Sequence, residues 1–447
     1  MDNQMNQNGS NELRADSVSN EKKEGASLEK ETRRHSHHSH HGERHHGSSH
    51  HHHHHSSHHR HHSSGNKKKK RNVNKKLMWA ISISVFVLLV GLVVLVETMN
   101  VDRYRGEEQV APANDVLSIE MINEDGVLVK DAVYKYLLTD LLNSYNATVR
   151  PSDFSIAADG RLDEQVPVAL KLSTKDGIAT SYKIELADNA DFVNATVDYV
   201  YKSSATYEFE HLYANTSYFY RVTAYTNKGN AVQTGSFKTA DTPRILSIDG
   251  LSNVRDIGNW RTDSGVRIKQ GLLIRGTEMD GAVESGYHLT NDGLMDMLNV
   301  FGIKTDIDLR AQTLTSMDAL GSRVAHKYYD MVMYDGIFTD YGKEKIRMVF
   351  ADLANPDNYP IYLHCTYGCD RTGTICYLLE ALLGVSRGDC LKDYGLSNLN
   401  IANIQVVENG LKAYEGNTLK EQVESYLLSC GVSEYQISSI RNIFLGD

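Results

Sequence analysis

Residues 360–384, PIYLHCTYGCDRTGTICYLLEALLG, limit the fold more tightly than any other stretch. Ile361, Tyr362 and Leu363 are a short apolar run suited to a buried strand, and Thr372 to Leu383 has the apolar spacing of a helix that stops at Gly384. His364 to Arg371 must therefore carry the chain from strand to helix. A loop that ends at a helix N-terminus meets unpaired backbone N–H groups and the positive end of the helix dipole, and both favour a bound anion.

The residue types in the loop suit phosphoryl transfer from a monoester. That reaction needs a nucleophile that survives beside negative oxygens, and rigid donors for the three equatorial oxygens as charge shifts. Cys365 supplies the nucleophile, because a helix N-terminus and a nearby guanidinium favour the thiolate of a cysteine placed there. Arg371 can donate two parallel charge-assisted hydrogen bonds, a geometry that Lys cannot reproduce. Gly368 permits the curvature that turns successive N–H groups inward. On this reading the phosphate-binding loop is Cys365, Thr366, Tyr367, Gly368, Cys369, Asp370 and Arg371. Thr372 can donate its hydroxyl to the departing thiolate, and His364 is better suited to fixing the loop than to moving protons. No cofactor and no catalytic-site metal are expected.

The arrangement HCxxGxxRTG resembles the phosphate-binding loop of the cysteine-dependent protein tyrosine phosphatase superfamily. The runs NVRDIG from Asn253, GLLIRG from Gly271, KTDIDLR from Lys304 and DYGLSN from Asp393 resemble motifs of its bacterial tyrosine phosphatase family, which also contains secreted lipid and protein phosphatases of pathogens. Together they cover about residues 244–445. The resemblance implies a mainly parallel sheet flanked by helices, in keeping with the strand, loop and helix order. It also implies that Arg255, Asp256, Arg275, Asp308 and Arg310 are salt-bridge or loop-support groups, and that an essential Asp precedes the loop arginine.

Asp370 is then the general acid that protonates the leaving oxygen. Two alternatives stay open: Asp370 only orients the loop, or the acid comes from YYDMVMYDGIFTD, where Asp335 stands ahead of Asp330 and Asp340. One departure bears on substrate. Cys369 stands where the family often has a Lys associated with phosphoinositide and dual-specificity behaviour, so a positive charge beside a polyanionic substrate is missing. The expectation is a protein-tyrosine phosphatase acting on a phosphorylated protein or a small phosphoester. A phosphoinositide or inositol phosphate phosphatase comes second, and a weakly active phosphate-binding or adhesion module third. Cys369 can also shield Cys365 through a reversible disulfide.

Upstream of this domain, placed at 244–447, the pattern changes. Between about 160 and 240, short alternating runs such as VPVALKLST and SYFYRVTAYT, separated by turn residues, predict a β-sandwich. Its closing strands, from Leu212 to Val222 and on to Thr239, resemble a fibronectin type III domain placed at 156–241. Residues 97–155 read as a spacer in which Val133, Tyr136, Leu137, Leu141 and Leu142 predict one short amphipathic helix.

Residues 1–76 lack the large apolar side chains that offset ordering entropy and read as disordered. They hold 17 of the 21 histidines, and the run His50, His51, His52, His53, His54 and His55 is a weak candidate metal site. Residues 77–96, LMWAISISVFVLLVGLVVLV, carry no charge and predict a transmembrane helix. Basic residues precede that run, so the tail is expected in the cytoplasm and the rest outside the cell, where the sandwich would meet protein or cell wall. After residue 76 the chain holds 32 Lys/Arg against 49 Asp/Glu, an acidity that argues against a nucleic-acid partner. All five cysteines fall in the last third, an odd set that makes a poor disulfide framework.

Overall fold

The computed structural model describes residues 116–140, 149–156, 160–175, 178–281, 285–311, 319–399 and 402–446. The expected disordered tail, its His50 to His55 run and the apolar stretch 77–96 lie outside these residues. No helix among the described residues is long and apolar enough to cross a membrane. The single-span fold, the extracytoplasmic localisation and the cell-wall contact drawn from it are corrected on that finding and taken no further.

Seven strands build the first sheet pair: β1 (Leu117–Ile122), β2 (Val168–Thr174), β3 (Ala179–Ala187), β4 (Thr196–Val200), β5 (Ser204–Phe209), β6 (Ser217–Thr226) and β7 (Gly229–Lys238). They form antiparallel sheets in the orders β1-β2-β5 and β4-β3-β6-β7. Alternation decides which face is buried. In β6 the side chains of Tyr218, Tyr220, Val222 and Ala224 point inward and join Leu170, Leu172, Tyr182, Ile184 and Phe237 in one core fed by both sheets. Strand β1 falls within the stretch read as a spacer, and its register with β2 runs from Leu117 opposite Thr174 to Ile122 opposite Ala169. Leu117, Ile119 and Met121 alternate with polar residues as in the other strands, but the run is short and separated in the chain from the rest of the sandwich by α1.

Helix α1 (Asp131–Leu137) follows β1 but packs elsewhere. Its Tyr136 is fully buried in the core of the C-terminal unit, and the phenol donates to the carbonyl of Lys392 at 3.4 Å.

That unit is a six-stranded sheet of β8 (Arg244–Ile245), β9 (Arg255–Asp256), β10 (Leu273–Gly276), β11 (Thr305–Asp308), β12 (Ala325–Tyr328) and β13 (Ile361–His364). The order is β12-β11-β13-β10-β9-β8; the four strands from β12 to β10 are parallel, and β9 and β8 add on antiparallel. The helices are α2 (Asn291–Met295), α3 (Asp340–Leu353), α4 (Asp370–Leu383), α5 (Arg387–Gly395), α6 (Ala402–Leu411), α7 (Leu419–Ser429) and α8 (Glu434–Leu445). Central β13 has every side chain buried, as expected of a parallel strand covered on both faces. Helix α4 is buried from Thr372 to Leu383 on all sides and ends at Gly384, which takes the left-handed conformation at φ 89°. Strand and helix are thus both locked, and the loop between them is held at two fixed ends.

Candidate active site

The turn from β13 to α4 begins at Cys365, which is 3% exposed, and passes through Gly368 at φ +64°. A Cβ at Gly368 would run into the Gly276 carbonyl at the end of β10, so both the backbone angle and the space demand glycine.

The carbonyls of this loop are tied outward one after another. Thr366 O accepts from the Glu278 amide at 3.0 Å, Tyr367 O from Asn253 Nδ2 at 3.1 Å, and Gly368 O from Arg275 Nη2 at 2.8 Å. A trans peptide is planar, with its N–H opposite its C=O. The N–H groups of Tyr367, Gly368 and Cys369 therefore face away from those ties, toward the inside of the turn. Among the described residues no protein acceptor takes the amides of residues 366–371. The Thr372 hydroxyl, fully buried at the base of α4, likewise has no partner among the described residues. Donors without acceptors beside a sulfur at a helix start are a cradle for an anion.

Arg371 is half-buried in the first turn of α4. Among the described residues its guanidinium makes only long contacts, Nη1 to Leu309 O at 3.4 Å and Nη2 to Thr366 Oγ1 at 3.5 Å, which leave most of its donor capacity uncommitted to them.

Two buried charge clusters support the loop. In one, Asp393 on α5 accepts from Arg255 Nε at 3.0 Å and Arg275 Nη1 at 2.7 Å. Burial opposes its charge, but the two guanidiniums outweigh that and hold its pKa below the ordinary carboxylate value. Arg275 thereby joins Asp393 to the Gly368 carbonyl. In the other, Arg310 donates to Asp308 at 2.7 Å, to Asp280 at 3.0 Å and to Glu278. His364 Nε2 lies 3.1 Å from Asp306 and 3.8 Å from Asp308, while its Nδ1 is 3.2 Å from the Cys365 carbonyl. Burial disfavours the imidazolium, yet Asp306 and Asp308 outweigh it and lift the His364 pKa to about 9. Asp256 sits apart from the loop: it caps the amide of Gly258 at 2.8 Å and pairs with Arg244 at 3.1 Å.

Asp370 is the first residue of α4. One of its carboxylate oxygens accepts from the Tyr334 hydroxyl and, at 3.4 Å, from the Tyr394 hydroxyl. Burial and then the bond to Asp370 push the Tyr334 phenol up to about 12. Asp335 is exposed one residue along from Tyr334, Asp330 accepts from Tyr341 at 2.9 Å, and Asp340 starts α3 in solvent. The structure thus brings Asp370, and not the other three, into direct contact with groups around the loop. Sequence reasoning quoted Asp306, Tyr334, Asp393 and Tyr394 only as parts of longer runs and gave none of them a role. An Asp two residues ahead of Asp308 and a Tyr beside each of Asp330, Asp335 and Asp340 were the available signals.

Cys369 is half-buried, and its Sγ lies 3.6 Å from Asn253 Nδ2. Burial, then the neighbouring Cys365, push its thiol up to about 11. All five cysteines are free. Tyr367 is half exposed, and its ring stands edge-on to Tyr287 with centroids 6.3 Å apart.

Residues 246–446 match the family model described as "Tyrosine phosphatase family". A protein of Cupriavidus necator, provisionally named a tyrosine-protein phosphatase, is 27% identical over 230 residues, covering 45% of this chain and 79% of the relative. A solved structure, the core catalytic domain of the PP-IP phosphatase SIW14 from S. cerevisiae in complex with citrate, aligns with 11% identity over 40% of this chain and 87% of that one, at a TM-score of 0.25. The family match and the Cupriavidus relative support a cysteine-type phosphatase. Because the family match starts at residue 246, it lends nothing to the fibronectin type III likeness of the sandwich.

Proposed function

We propose that the C-terminal unit, residues 244–447, hydrolyses phosphomonoesters through a phosphocysteine and acts on phosphotyrosine. One observation carries the reading: successive loop carbonyls are tied outward, so that amides without protein acceptors converge beside Cys365. In the first step the Cys365 thiolate attacks phosphorus, the P–O bond to the leaving group breaks, and Asp370 gives its proton to that oxygen. In the second, water attacks the phosphocysteine, Asp370 takes the proton from water, the P–S bond breaks, and inorganic phosphate leaves. Arg371 and the loop amides stabilise the charge on the transferred group in both steps. The unpartnered Thr372 hydroxyl is suited to receive the returning thiolate.

The preference for phosphotyrosine rests on what flanks the loop. Cys369 contributes no positive charge where a polyanionic inositol headgroup would need one, and the Tyr287–Tyr367 pair offers aromatic edges to a phenyl ring.

The test compares hydrolysis of phosphotyrosine peptides, inositol phosphates and phosphoinositide vesicles by the full chain and its variants, with and without a chelator. Cys365→Ser is expected to lower turnover at least about 10³-fold, and Asp370→Asn about 10²- to 10⁴-fold with the loss concentrated in poor leaving groups. A preference for inositol phosphates over the peptides would reverse the substrate assignment. Unchanged turnover in Asp370→Asn would move the acid elsewhere.

A further inference from the structure

The loop's second tie leads out of the family-matched region. Tyr367 O is held by Asn253, whose side chain is fully committed: Nδ2 also donates to Ser397 Oγ at 3.1 Å, and Oδ1 accepts from Arg255 at 2.7 Å. Asn253 itself sits at φ +55°, a left-handed angle that Asn adopts more readily than other L residues, and its backbone amide has outside support. That support comes from Asp163, in the chain between α1 and β2. Its Oδ2 accepts from the Asn253 amide at 2.7 Å and from the Ser252 hydroxyl. Arg161 braces the carboxylate, with Nε at 3.2 Å and Nη2 at 3.0 Å, and also donates to the Leu251 carbonyl at 3.2 Å. Burial opposes the Asp163 charge, but Arg161, Ser252 and the Asn253 amide outweigh it and hold its pKa down at about 2. The same stretch of chain grips the site once more, where the Ser152 amide donates to Asn398 Oδ1 at 3.2 Å.

The geometry points to Asp163 as a positioning residue for the phosphate loop, supplied from outside the catalytic unit. It fixes the backbone of Asn253, Asn253 fixes the Tyr367 carbonyl, and the planar peptide then aims the Gly368 N–H at the phosphoryl oxygens. The inference rests on the phosphatase reading above. Its consequence is that the chain between β1 and β2 helps to hold the phosphate loop in place and is more than a tether.

The experiment uses the full chain as wild type, Asp163→Ala, Asp163→Asn and Cys365→Ser, and measures kcat and KM on an aryl phosphate, inhibition by inorganic vanadate, and thermal midpoint. Misaiming one oxyanion donor is expected to cost part of the roughly 10²-fold that its removal costs, so Asp163→Ala should lower kcat about tenfold or more and weaken vanadate inhibition by a similar factor. KM should move less. Asp163→Asn keeps an acceptor oxygen and is expected to recover most of both losses at an equal thermal midpoint. A kcat for Asp163→Ala within about twofold of wild type would overturn the proposal. So would equal losses in both variants that track a fall in thermal midpoint, since Asp163 would then serve docking alone. Activity that survives in Cys365→Ser overturns the phosphatase reading beneath it, and that failure shows in the variant without the thiol, whatever the Asp163 pair does.

Discussion

At Gly368 two demands coincide, a positive φ and a carbonyl where a side chain would begin. Gly368→Ala is therefore expected to cost far more than the roughly 1 kcal/mol of an ordinary glycine replacement, and to abolish oxyanion inhibition along with turnover. Vanadate titration of the folded variant checks it. Asp393 makes a different kind of demand. It is the shared anion for Arg255 and Arg275, and removing one partner of a buried pair leaves uncompensated charge at a cost of about 3–5 kcal/mol. Asp393→Ala should lose stability on that scale in denaturant melts and, through Arg275 and the Gly368 carbonyl, lose vanadate affinity as well. The places of Cys365, Gly368 and Arg371 in the turn between strand and helix were legible from the sequence, because that pattern is local. Asp306 and Tyr334 were not, because their roles exist only once β11 and the segment before α3 are folded against the loop.

At the scale of elements, strand β13 and helix α4 were readable from apolar periodicity, and the loop's geometry follows from being clamped between them. The sandwich strands β2 to β7 were readable from their alternation, whereas β1, which alternates in the same way, is short and stands apart from them in the chain, beyond α1. The junction of β13 with the loop carries a pH dependence. His364 titrates near 9 when folded against an ordinary value of 6.5, so its ion pair with Asp306 contributes fully below about pH 6.5 and is lost as pH rises through 9. Asp306, held at about 2 because His364 and His326 outweigh its burial, gives its contribution above its ordinary pKa of 3.8 and loses it as pH falls through 2. The thermal midpoint is expected to fall between about pH 7 and pH 10, and His364→Asn should flatten that fall. A midpoint with the same alkaline slope in both proteins would assign the effect to other groups.

At the scale of the molecule, the C-terminal unit is not self-contained. Tyr136 of α1 fills its core, Arg244 reaches back to the Leu212 carbonyl at 3.0 Å, and Asp163 braces Asn253. A linear reading separates the chain into spacer, sandwich and catalytic domain because composition changes at those points, but composition does not report which surfaces meet. The residues that join the units are scattered polar and aromatic side chains and the small apolar cluster of Val129, Val133 and Ile245, and no local pattern marks them. What all three scales share is a cradle of inward-facing amides beside one sulfur, which we propose holds a phosphoryl group. The most direct measurement is rapid quench of the full chain and a radiolabelled aryl phosphate into denaturant, followed by mapping of the labelled peptide. Covalent label is expected on the peptide containing Cys365, more of it in Asp370→Asn, and none in Cys365→Ser. Turnover without any label on that cysteine, or label that persists in Cys365→Ser, would contradict it.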